Sequence, residues 1–210
     1  MNFVAAFARS MVGLPFFHFA ALFLGLCSVT RLALLGLSGW AWVPLELWPG
    51  LFVRGLGFDA MVLAFALAPA LAWVALRPQR WQASPGARWF RPLCFGLSAG
   101  AHRFLALSEL TFWLEFSSRL NFIALDYLMY TQEVIGNVRQ SYPVGWLLTG
   151  VAALALGLTW LCRSSLAAAP RLRPQGRQRL LWLALAVVLP TVSWQLADLD
   201  DMAFSDNAFA

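Results

Sequence analysis

Five apolar stretches, at residues 11–30, 58–76, 92–113, 144–161 and 180–194, set the terms for anything this chain can become. Each is near the length at which a helix crosses the hydrocarbon core of a bilayer. Inside lipid the backbone must satisfy its own hydrogen bonds, and for sequences of this kind that means helices. A water-soluble alternative fails on composition. Hydrophobic residues make up 60% of the chain and charged residues 12%, more apolar surface than a fold of 210 residues can hide. The expectation is an all-α polytopic membrane protein with five transmembrane helices.

The connectors set the orientation. All 15 basic residues are arginines, and most fall in two places. Arg77, Arg80, Arg88 and Arg91 lie between the second and third stretches, and Arg163, Arg171, Arg173, Arg177 and Arg179 between the fourth and fifth. With a cytoplasmic N-terminus, five spans place both clusters and Arg9 inside, and leave every acid outside or within the spans. The segment from Arg31 to Gly57 is apolar enough to suggest a sixth span. Pro44, Glu46 and Pro49, flanked by Trp40, Trp42 and Trp48, mark it instead as interfacial or re-entrant. The same arginines argue against a nucleic-acid partner, because they form no stripe on a soluble face. Cys27, Cys94 and Cys162 sit in or beside apolar runs without metal-ligand spacing, and are expected to be buried thiols.

One long segment is neither span nor simple loop. Residues 115–143 hold three acids, two arginines and all three tyrosines. On a helix, Arg119, Asp126, Glu133 and Gln140 recur at i, i+7 with Tyr130 and Asn137 on the same face, while Ile123, Ala124, Tyr127, Val134 and Val138 tend to another. That division predicts an interfacial amphipathic helix over about 115–142 on the outer face. Residues 1–197 then form the membrane domain, and 198–210, with Asp198, Asp200, Asp201 and Asp206, an extracytoplasmic linker.

Few motifs carry chemistry. GLSG at 36–39 resembles an intramembrane serine-protease motif that would need His18 or His102 to reach Ser38. GLSAG at 96–100 has the letters of a nucleophile elbow, but a membrane helix is the wrong context for that strand-to-helix turn. His102, Arg103 and Glu109 are ionisable groups within the third span, where charge is costly and functional by default. They define the alternative reading, a self-contained small transporter or channel. No metal-site spacing exists in the chain, so no cofactor is expected in it. Arg54 and Arg119, on the expected outer face, are candidates to hold lipid phosphates.

The residues EFSSRLNFIALDYLMYTQEV at 115–134 resemble the segment after the third span in the lipoteichoic-acid-synthase-like branch of the sulfatase/alkaline-phosphatase superfamily. Glu115, Phe116, Ser118, Arg119, Asn121, Asp126, Tyr127, Leu128, Tyr130, Glu133 and Val134 match that pattern; Ser117 and Leu120 replace its Asp and Pro. GLGFD at 55–59 is similar to the family's entry into the second span, with Gly57 for Arg. The resemblance implies a phosphoglycerol-transferase-like protein of the bacterial cytoplasmic membrane. It also implies a soluble extracytoplasmic domain, not contained in these 210 residues, with a threonine nucleophile and a divalent metal (Mn, Mg or Zn). No catalytic residue is then expected in this chain. Its partners would be anionic phospholipid headgroups and its own C-terminal domain, with Glu115, Asn121, Asp126, Tyr127, Tyr130, Glu133 and Asn137 as platform and docking residues.

Overall fold

The computed structural model describes residues 15–39, 43–78, 84–119, 131–168 and 176–196. All regular structure among them is helical: α1 Pro15–Ser38, a 3-10 turn Leu45–Leu47, α2 Trp48–Leu76, α3 Pro85–Phe116, α4 Thr131–Ser141, α5 Val144–Leu161, α6 Arg163–Ala168 and α7 Gly176–Leu196. Four segments are long and apolar enough to cross a membrane: Phe16–Ser38, Leu45–Leu76, Val144–Leu161 and Gly176–Leu196. The chain is a helical membrane protein. The expected third span lies within α3, which has 32 residues but carries Arg88, Arg91, Arg103, Glu109 and Glu115 and is not among the four.

The helices fall into two compact units, one holding α1 and α3 to α6, the other α2 from Pro49 onward and α7. In the first unit α3 is the axis. Ser84 caps its start by accepting the Ala87 N–H at 3.2 Å, and Pro85 supplies a preset helical φ in the first turn. Phe95 and Ala99 of α3 bury against Cys162 and Leu166, with Phe19 and Leu22 of α1 packed on them. Phe19 meets Phe95 edge to face at 6.0 Å. Of the three thiols expected to be buried, Cys162 is buried, Cys27 half-buried and Cys94 exposed.

On its other side α3 packs antiparallel to α5 through small residues. A Cβ on Gly96 would stand 3.1 Å from Thr159 Oγ1, and one on Gly100 3.5 Å from Ala155 Cβ. Thr159 cannot easily retreat, because its hydroxyl donates to the Ala155 carbonyl at 2.7 Å. The glycines of GLSAG therefore serve close helix approach, the usual small-residue route to packing in lipid. In the second unit α2 buries Leu63, Ala64, Leu71, Val74 and Ala75, a stripe at helical spacing, and α7 buries Trp182, Ala186 and Ser193. Pro69 and Pro190 lie inside these two helices.

The first helix continues past Arg31, which is buried, as the sequence allowed, and stops at Ser38, where Gly39 takes φ 92°. The second begins at Trp48 rather than Phe58, so Gly55 and Gly57 lie inside it. Pro49 in its first turn starts that helix rather than interrupting it. Most of the segment read as interfacial thus belongs to α1 and α2. Of the helix expected over 115–142, Glu115 and Phe116 belong instead to the last turn of α3, Ser117 is left-handed at φ 50°, Thr131–Ser141 form α4, and 120–130 lie outside the described residues.

Gly96→Val should destabilise the α3–α5 contact by about 1–3 kcal/mol through overpacking. Gly157→Ala, where a Cβ meets nothing within 4 Å, should be neutral or gain up to about 1 kcal/mol. Thermal unfolding in detergent compares the two; equal losses would contradict this packing.

Candidate functional site

The polar residues of α3 occupy two levels, one in mid-helix and one at its C-terminal end. At mid-helix His102 faces α1. Its ring stacks on Phe23 at 4.0 Å between centroids, and Nε2 lies 3.3 Å from the Phe23 carbonyl oxygen and 3.8 Å from Cys27 Sγ. A carbonyl can only accept, so the first contact requires the proton on Nε2. The histidine thereby holds α1 to α3, using the second lone pair of a carbonyl on the neighbouring helix. The adjacent Arg103 donates from Nη1 to the carbonyl of Ala99 on its own helix at 2.6 Å.

The C-terminal end is built by a reversal of the chain. Ser117 donates its N–H to the Trp113 carbonyl at 2.8 Å while its left-handed backbone ends α3. That turn brings Arg119 back along the helix, where its Nε donates to Glu109 Oε1 at 2.6 Å and Nη2 pairs with the same oxygen. Nearly two turns beyond Glu109, Glu115 accepts the Tyr142 hydroxyl at 2.7 Å, linking the end of α4 to the end of α3. The side chain of Arg119 is 61% exposed and that of Glu109 19%, so the ion pair is wet and contributes less than about 1 kcal/mol. It orients more than it stabilises. Arg119, read as a phosphate ligand, already spends two of its N–H groups on Glu109.

His102, Arg103 and Glu109 do not converge. The first meets α1, the second its own helix, the third Arg119. A proton relay through His102 and Phe23 would end at a carbonyl, which neither takes nor passes a proton. The protease motif fares no better: Ser38 donates to the Leu34 carbonyl at 2.8 Å, and His18 Nδ1 lies 3.3 Å from the hydroxyl of buried Ser165. Arg54 lies exposed on α2, in the other unit. Asn121, Asp126, Tyr127 and Tyr130 lie outside the described residues, as do the side chains of Glu133 and Asn137 on α4. On that helix Ile135 and Val138 are exposed. No three metal-ligating side chains cluster among the described residues.

Sequence reasoning missed Tyr142 as a brace and Ser165 as a partner of His18. The signal for Tyr142 was its place beside Pro143 at the start of a span; Ser165 sits in a segment read as connector. Arg91, just before the apolar run of α3, was read as a topological charge. Burial first, and the like charge of Arg88 second, lower its guanidinium from the ordinary value. No family model matches the chain, and comparison with curated proteins and with solved structures finds no match.

The Glu115 hydrogen bond, then burial, then the Glu115 charge raise the Tyr142 phenol above its usual range. A raised phenol favours the folded state fully below the unfolded value of about 10, and that contribution is lost as pH climbs through the folded one. Ultraviolet titration of the three tyrosines should show one lagging behind the others. Glu115→Ala should bring it back toward the rest, and an unchanged curve would remove the brace.

Proposed function

We propose that this chain is the membrane-embedded part of a phosphoglycerol-transferase-like protein, acting as anchor and as a lipid-facing platform for a sulfatase-fold domain carried elsewhere in the protein. The observation that carries the reading is the 115–134 patch together with the way its ends are held. Glu115–Tyr142 and Glu109–Arg119 fasten the stretch beyond α3 to the tip of that helix. A surface meant to receive lipid headgroups and pass them to a soluble domain needs such a fixed base. In this reading the residues from Ser117 to Ser141, including Asn121, Asp126, Tyr127, Tyr130, Glu133 and Asn137, lie along the outer interface. The metal and the threonine nucleophile belong to the soluble domain, and this chain supplies position rather than chemistry.

The reading includes five spans, with α3 crossing the bilayer despite its charges. From Arg91 to Glu109 the helix rises about 27 Å, close to the hydrocarbon thickness of about 30 Å. Those two residues therefore bracket the core, and His102 and Arg103 between them are the groups that α1 and the helix's own backbone accommodate. The membrane is the bacterial cytoplasmic membrane, with the N-terminus inside and the end of α7 outside.

Two measurements test this. The coding sequence beyond Ala210 should continue into a domain with a threonine beside acidic and histidine metal ligands; an immediate stop codon would sink the proposal. In a chain with its three cysteines replaced by alanine, Gly86→Cys and Ser118→Cys should label from opposite sides of the membrane. Labelling of both from one side would remove the third span.

A further inference from the structure

The N-terminal end of α3 carries positive charge that the described residues do not balance. Arg91 is half-buried, and its Nε and Nη1 are covered without meeting an acceptor among the described residues. Arg88, exposed, precedes it by three residues on the same helix face, so its near neighbour is another guanidinium. The sequence offers no relief. There is no Asp or Glu before Glu46, between Asp59 and Glu109, or between Glu133 and Asp198. Every connector that the five-span reading puts at this end is thus free of acids.

Snorkelling alone would carry an arginine head into water. Here two of the three guanidinium nitrogens are withdrawn from solvent, and a desolvated cation without a counter-charge is costly. The flanking surface is of the headgroup-facing kind. Trp89 is 78% exposed and Phe90 is exposed beside it, aromatic rings of the type that settle at the membrane interface.

We propose that Arg88 and Arg91 bind the phosphate of an anionic phospholipid at this end of α3. The phosphate takes Nη2, the one guanidinium nitrogen of Arg91 outside the covered pair, and the exposed group of Arg88, and supplies the charge the protein lacks. Arg88, exposed, presents a planar N–H fork, which suits phosphate oxygens better than an ammonium does. The site is separate from Arg54 and Arg119 and does not depend on the transferase reading.

The test uses the full chain in a neutral detergent, with phosphatidylglycerol, phosphatidylcholine and inorganic phosphate as probes and native mass spectrometry as the readout. Phosphatidylglycerol should be retained over phosphatidylcholine, and Arg91→Gln should weaken that retention at least about tenfold. Arg91→Lys should recover only part of it. Arg163→Gln, which removes an exposed arginine stacked on Trp160, should leave it intact. Equal loss in Arg163→Gln would reveal diffuse charge attraction and overturn the site. So would undiminished retention in Arg88→Gln/Arg91→Gln. Arg91-dependent binding of inorganic phosphate without the lipid preference would overturn the assignment to lipid. Where Arg91→Gln fails to fold, Arg88→Gln decides, and retention equal to the parent's would overturn the site.

Discussion

What the first unit depends on is the covering of one charged helix by two apolar ones. α3 carries His102 and Arg103 at mid-helix, where unsatisfied polar groups are expensive. The chain meets that cost by bringing backbone to them. α1 supplies the Phe23 carbonyl, and α3 itself supplies that of Ala99. Close approach of α5 on the other side needs the glycines at 96 and 100. Six hydroxyls follow the same economy. Ser28, Ser38, Ser108, Thr149, Thr159 and Thr191 each donate to the carbonyl four residues earlier, so hydroxyl-bearing helices remain compatible with lipid.

The brace at the tip of α3 is a product of that packing more than a cause of it. Glu115 and Tyr142 are 27 positions apart, and closing such a loop from a flexible chain costs about 3 kcal/mol. A single hydrogen bond offsets only about 0.5–1.5 kcal/mol of that. The helices do the rest. Gly96 lies against Thr159 and Gly100 against Ala155, an antiparallel register that, extended along both helices, brings Glu115 level with the residues just before α5. The tyrosine and the carboxylate are therefore neighbours before they bond, and their bond only selects an orientation.

This also explains how far the sequence could be read. The span at 144–161 was legible to the residue because Pro143 starts it and Arg163 follows its end. The start of α2 was not, since a Trp-Pro-Gly cluster resembles a break and Pro in a helix's first turn is instead permitted. That α3 extends to Phe116 was not legible either, because the left-handed residue that ends it is a serine, not the glycine that would have announced it. His102 was legible as an expensive group. Its partner was not, because a backbone carbonyl has no letter in the sequence.

The two ends of α3 solve the problem of charge in opposite ways, and the difference follows from where the acids lie. At the C-terminal end Glu109 meets Arg119 and Glu115 meets Tyr142, so the polar groups there are matched from within the chain. At the N-terminal end the nearest carboxylates along the chain are Asp59 and Glu109, and Arg91 has only Arg88 near it on the helix. An arginine at the edge of an apolar run can serve orientation alone, without a nearby acid. A guanidinium that is also partly desolvated asks for more than orientation, and in a membrane the abundant anion at that depth is the phosphate of the lipid itself. With the proposed phosphate, α3 has its charges matched by protein at one end and by its surroundings at the other.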